Sequence, residues 1–209
     1  MEELCSDPKA LIVDFFKEFH RRGYAVGSGG AMGVINEDSI TITPTGLPKD
    51  MLKPSHLVDC DHAMNPLDAQ LCRPSACSPI FAYIWKQYPS SKAFIHTHSI
   101  NSVLAANKLA TSDEHRQSHF GVKDYEQIKA FGIPNTSYLV VPIIDNKPTE
   151  QDLVDPILQA AALPDHHPSE NVKMVLVKNH GIFVFARNII EAKIYMESLE
   201  YLFELQLKS

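Results

Sequence analysis

Apolar residues recur along this chain with two periods, and the switching between them outlines a fold. Ser6-Asp7-Pro8 is a capping sequence with proline in the first turn. Leu11, Phe15 and Phe19 then return at helical spacing until Gly23. Residues 39–43 alternate isoleucine with serine and threonine, the period of a strand, and Pro44-Thr45-Gly46 turns the chain. A short strand is expected around Val58. Ser78-Pro79 opens a second helix carrying Ile80, Tyr83, Ile84 and Trp85, which Pro89 stops. Residues 93–98 read as a strand, 99–109 as a helix, 111–137 as a polar, mixed stretch and 138–144 as a buried strand. A helix is expected over 151–163, with Pro156 delaying its start, and a loop over 165–170. Strands at 172–177 and 182–185 meet at Asn179-His180-Gly181. Asn188 with Glu191 has the spacing of a capping box, and Ala192, Tyr195, Met196, Leu199, Leu202 and Phe203 give the last helix an apolar face. No repeat or linker interrupts the pattern. Residues 1–209 are therefore expected to form a single α/β domain, a central, mostly antiparallel sheet with helices on its faces.

Composition narrows the function classes. A hydrophobic content of 44% and a charged content of 21% are globular values. The formal net charge of −6 argues against nucleic acid as the main partner and leaves room for a small anionic substrate held by local groups. No apolar run has membrane-spanning length, and the acidic start lacks a signal-peptide core, so the expected setting is the cytosol. Cys5, Cys60, Cys72 and Cys77 lack C-x-x-C spacing and are expected as free thiols.

The densest chemistry is His96-Thr97-His98, at the end of the strand that begins Ala93-Phe94-Ile95. Residues i and i+2 of a strand share a face, so both imidazoles can approach one ion. His180 is a third candidate. Three neutral imidazoles with one open position are the arrangement of catalytic zinc. In a chain with ten histidines the pair alone is weak evidence, and its context decides. Gly27-Ser28-Gly29-Gly30 offers backbone N–H groups free of side-chain hindrance, a nest suited to phosphate. Thr45 and Gly46 add a hydroxyl and an amide, Ser75 and Ser99 further hydroxyls, and Lys49 a charge.

The ordered set Gly27-Ser28-Gly29-Gly30, Pro44-Thr45-Gly46, Pro74-Ser75-Ala76-Cys77, His96-Thr97-His98-Ser99 and His180-Gly181 resembles the class II aldolase/adducin-head superfamily. Glu126-Gln127-Ile128-Lys129-Ala130 and Val140-Val141-Pro142-Ile143-Ile144 bring it nearest to the methylthioribulose-1-phosphate dehydratase branch. The resemblance covers about residues 11–207. It implies a three-layer fold with a mostly antiparallel sheet, one zinc ion per subunit on His96, His98 and His180, and Glu126 as catalytic acid/base. It implies Cys77 in the substrate pocket, where many aldolases of the superfamily carry glutamate, and a homotetramer with active sites near subunit interfaces. Ser28, Gly29, Thr45 and Gly46 become the substrate-binding candidates.

The activity implied is zinc-dependent dehydration of 5-methylthioribulose 1-phosphate in methionine salvage, in the cytoplasm. The alternatives are an aldolase or epimerase of another small sugar phosphate, and a non-catalytic interaction protein of the adducin-head kind. Asp124 and Glu114 are the fallback bases, with His115 and His119 held in reserve. Four residues depart from the dehydratase pattern. Ala31 and Gly33 replace a glycine and a serine after the glycine-rich turn, and Lys178 and Asn179 stand where two arginines are usual.

Overall fold

The computed structural model describes residues 7–36, 38–68, 72–112, 118–163 and 172–209. Cys5, Ser6, Glu114, His115 and the expected loop at 165–170, with its two histidines, lie outside them.

The first helix, α1 (Pro8–Arg21), starts as the sequence indicates: the Asp7 carboxylate accepts from Lys9 N and Pro8 occupies the first turn. The strands β1 (Ala31–Ile35), β2 (Ile40–Ile42) and β3 (Val58–Cys60) follow, then α2 (Ser78–Gln87), β4 (Ala93–Thr97) and α3 (Ile100–Lys108). Next come β5 (Thr111–Ser112), β6 (Ser118–Val122), β7 (Leu139–Ile144) and α4 (Val154–Ala161), and finally β8 (Lys173–Val177), β9 (Gly181–Ala186) and α5 (Ile189–Lys208).

Among the described residues, nine strands form one sheet in the order β3-β2-β1-β4-β9-β8-β7-β6-β5. Every neighbouring pair is antiparallel except β7–β8. Side-chain alternation splits the core in two. Met32, Val34, Ile95, Met174, Leu176, Ile182 and Val184 pack on one face with residues of α1, α3 and α5. Ala31, Ile35, Phe94, Val175, Val177, Phe183 and Phe185 pack on the other with α2 and α4. This is the expected three-layer α/β architecture. The central strands are buried along both faces, which is why they read as continuous apolar runs rather than alternating ones.

Some elements differ from expectation. The glycine-rich turn leads directly into β1. The polar stretch 111–137 contains two short strands and a 3-10 helix, Glu126–Phe131, because its apolar residues are too sparse to show a period. The helix at 151–163 begins as a 3-10 turn, Gln151–Leu153, ahead of α4. At the start of α5, Asn188 Oδ1 accepts from Glu191 N, but the Glu191 carboxylate returns to Arg187 N rather than to the cap residue. Gly33 explains one departure: a Cβ there would lie 2.3 Å from Cζ of Phe94 and 2.5 Å from the Thr41 carbonyl oxygen, so serine does not fit. Cys60, Cys72 and Cys77 are free thiols, and no helix among the described residues is long and apolar enough to cross a membrane.

Registry carries the turns to common ends of the sheet. The glycine-rich turn before β1, the Pro44-Thr45-Gly46 turn after β2, the end of β4, the loop after β7 and the β8–β9 turn all lie at one end. Glu126 follows β6, whose last residue pairs with the first of β7, and so lies at the opposite end.

A buried carboxyl ties α5 to the end of β4. Ser99 caps α3, accepting from Ser102 N at 2.9 Å, and its hydroxyl donates to Glu200 Oε1 at 2.6 Å. Burial pushes the Glu200 carboxyl up to about 7. A raised carboxyl pKa contributes stability that is fully present below the unfolded value of 4.5 and is lost as pH rises through about 7. Glu200→Gln keeps the acceptor without the buried charge. It is expected to raise stability by roughly 1–3 kcal/mol at pH 8 and to change little at pH 5, as read by urea unfolding at the two pH values.

Candidate metal centre

The strand β4 ends in His96 and Thr97, and His98 follows on the same face as His96. The β8–β9 turn delivers the third imidazole. Val177 pairs with Gly181 across this turn, and His180 N donates to Val177 O. Asn179 has φ 55° and holds that left-handed conformation with an amide pair to Asn107 on α3: Asn107 Nδ2 donates to Asn179 Oδ1 at 2.7 Å. This accounts for asparagine at one departing position. Gly181 has φ 155°, and a Cβ on it would meet the Thr97 carbonyl oxygen at 2.0 Å, so only glycine lets the two segments approach.

The three rings converge through their Nε2 atoms. His96 Nε2 lies 2.8 Å from that of His98 and 3.2 Å from that of His180. His96 Nδ1 lies 2.9 Å from Ile182 O, so it carries the proton and leaves Nε2 as a lone pair. His180 Nδ1 lies 2.9 Å from Asn146 Oδ1. The same oxygen accepts from Lys147 N, which fixes the orientation of the amide. His180 therefore also presents Nε2 as an acceptor. Zinc bonds of ~2.05 Å at tetrahedral angles separate ligand nitrogens by about 3.3 Å, close to the spacings here.

Burial disfavours the charged form of His96 and of His98. The His96 ring is fully buried and stacks on Phe183, with centroids 3.8 Å apart. Burial, then the neighbouring imidazoles, puts its pKa well below the ordinary value. Burial and then His180 lower that of His98 to about 4. His96 and His180 each have the second nitrogen anchored by an oxygen acceptor, three converging imidazoles are the donor set of a zinc site, and the residues fit the ion.

The other expected residues divide. Gly29 lies against the His98 ring, and Ser28, Thr45 and Gly46 are exposed at the same sheet end. Lys49 N donates to Gly27 O, tying the two turns together. The Lys49 side chain is completely buried, donates to Pro44 O and sits over Phe16, and burial lowers its pKa to about 8. Its charge stands behind the turns rather than in the open. The Ser99 hydroxyl is a helix cap bonded to Glu200, not a free substrate contact, and Ser75 is buried beneath Cys77. The Cys77 thiol is buried and within metal-ligand range of His96. Burial, then Glu150, raises its pKa, so it stays protonated.

Glu126 is not brought to the triad within one chain. Its exposed carboxylate bonds Lys129 Nζ and Asn135 Nδ2. His119 is buried on β6, and Asp124 is exposed with φ 65°. Sequence reasoning missed Asn146 and Glu150, both from the loop after β7. Glu150 Oε1 lies 3.4 Å from His180 Nε2. Neither residue has a spacing relation to the histidines, and only the parallel β7–β8 pairing brings them there.

Known proteins resemble this chain over most of its length. The family described as "Class II Aldolase and Adducin N-terminal domain" matches residues 10–207. The methylthioribulose-1-phosphate dehydratase of Kluyveromyces lactis is 36% identical over 211 residues, covering 97% of each chain. That of Komagataella phaffii is 33% identical, covering 96% of this chain and 82% of its own. The crystal structure of L-fuculose-1-phosphate aldolase from Thermus thermophilus superposes with a TM-score of 0.70 at 18% identity, covering 95% of this chain and 92% of that one. Sequence and fold agree over nearly the whole length, and this chain belongs to the class II aldolase and adducin N-terminal domain family.

Proposed function

We propose that this protein is a zinc-dependent hydro-lyase that converts 5-methylthioribulose 1-phosphate to 2,3-diketo-5-methylthiopentyl 1-phosphate, acting in methionine salvage in the cytoplasm. The carrying observation is the convergence of three imidazole Nε2 atoms, in a chain 36% identical to a relative named for this dehydration. Residues 1–209 act as one domain, and the working form is a homotetramer.

Bound zinc supplies Lewis acidity to neighbouring carbonyl and hydroxyl oxygens, easing loss of the adjacent carbon-bound proton. His96, His98 and His180 hold it. Ser28 and Gly29, with Thr45 and Gly46, supply N–H groups and hydroxyls to the substrate phosphate, in two exposed turns beside His98. Cys77 lines the pocket as a small protonated thiol, without the charge of the glutamate that many aldolases of the superfamily carry there. Glu126, whose carboxylate is favoured by its bond to Lys129, takes the carbon-bound proton and returns it to the departing C4 hydroxyl, which leaves as water. Because it lies at the far end of its own sheet, it serves the triad of a neighbouring copy. Asn179 favours a second reading, cleavage or epimerisation of another sugar phosphate. Product analysis with fuculose, rhamnulose and ribulose phosphates separates the two.

Chelation is expected to abolish turnover of methylthioribulose 1-phosphate, with zinc restoring it. Metal loss should also remove about 3–4 kcal/mol of stability at metal concentrations of 100–1,000 times Kd. Turnover unaffected by complete metal removal contradicts the reading. In the metal-free protein, a His98 pKa near 4 against an ordinary 6.5 means that the unfolded chain binds more protons between those values. Stability is full above pH 6.5 and falls as pH drops toward about 4, by up to about 3 kcal/mol from this group. Thermal melts from pH 8 to 4, with and without zinc, read it.

Glu126→Ala is expected to keep zinc content and melting temperature while turnover falls about 10²–10⁴-fold. Mixed assemblies of Glu126→Ala and His98→Ala chains should recover activity, up to about a quarter of parental sites by random pairing. No recovery on mixing removes Glu126 from the neighbouring site.

A further inference from the structure

We infer that Glu150 is a fourth protein ligand of the metal centre, completing a set of three imidazoles and one carboxylate with His96, His98 and His180. The inference rests on the zinc reading above and extends it to a residue outside the histidine motifs.

Geometry places a carboxylate at the cluster. Glu150 Oε1 lies 3.4 Å from His180 Nε2, while His180 Nδ1 lies 2.9 Å from Asn146 Oδ1. A cation between Oε1 and Nε2 would be attracted to both. The other carboxylate oxygen, Oε2, is buried and accepts no hydrogen bond among the described residues. A buried, unpartnered carboxylate oxygen carries a desolvation cost that coordination offsets. Glu150 also lies within ligand range of Cys77 and His96.

Local structure presents Glu150 for this role. It precedes the 3-10 turn Gln151–Leu153 and makes no capping bond to it. Thr149 caps that turn instead, accepting from Asp152 N and donating to the Asp152 carboxylate. One short loop therefore supplies both the asparagine that orients His180 and the carboxylate beside it.

The test measures metal affinity and coordination on the full-length protein. Zinc affinity is read by competition with a chromophoric chelator, and the ligand field by the visible absorption of the Co2+-substituted protein. Glu150→Gln, nearly isosteric and neutral, is expected to weaken zinc binding about tenfold or more and to shift the Co2+ bands in energy and intensity. Glu150→Asp, shorter by one methylene, should fall between Gln and parent, which guards against a variant that merely misfolds. Asn146→Ala should lower affinity while keeping the parental Co2+ band pattern.

Zinc affinity and Co2+ spectra of Glu150→Gln within twofold of the parent overturn the assignment. A sulfur-to-cobalt charge-transfer band that disappears in Cys77→Ala, with no effect at Glu150, overturns it in favour of the thiol. His98→Ala separates the two levels. If it loses zinc while Glu150→Gln keeps it, the three-histidine site stands and the fourth ligand falls. If the parent takes up no metal, both fall.

Discussion

A neutral imidazole has one lone pair, and the hydrogen bond made by its other nitrogen decides where that lone pair points. At His96 that bond runs to Ile182 O across the β4–β9 ladder. At His180 it runs to Asn146, two residues beyond β7. The outcome is that His96 and His180 turn their Nε2 atoms toward one another, with His98 Nε2 beside them, an arrangement that a bound cation would stabilise. Much of this end of the molecule serves that geometry. Phe183 stacks under the His96 ring, Asn107 holds the left-handed Asn179, and Gly181 lets the turn close on the Thr97 carbonyl.

The sheet explains why these pieces meet. With one exception its neighbours are antiparallel, so alternate connections return to the same end, and the parallel β7–β8 pair shifts the loop after β7 to the end where β8 finishes. Without that parallel step, Asn146 and Glu150 would emerge elsewhere. The same registry sends Glu126 to the other end of the sheet.

The sequence made some of this legible and hid the rest. The H-x-H pair, the capped helices and the long apolar strands could be read because each rests on contacts within a few residues, where spacing and side-chain type carry the information. The position of His180 was readable only through a resemblance. Its 84-residue separation from His96 carries no periodic signal. The strand β6 was missed because it is short and polar on one side, and β1 because its glycine and alanine looked like a continuing turn. Lys49 reads as a charge beside the phosphate nest but is enclosed, with a bond to Pro44 O and the Phe16 ring against it. Glu150 carried no mark at all: its chemistry comes from being placed, not from its neighbours in the chain.

The span between His96 and His180 also has a meaning in time. In a zinc finger, ligands a few residues apart gather the metal while the chain is still largely unfolded. Here His180 joins His96 and His98 only where β4 and β9 pair, a non-local contact that pays a long loop closure. A metal held by all three would staple together strands far apart in the sequence, at one end of the sheet.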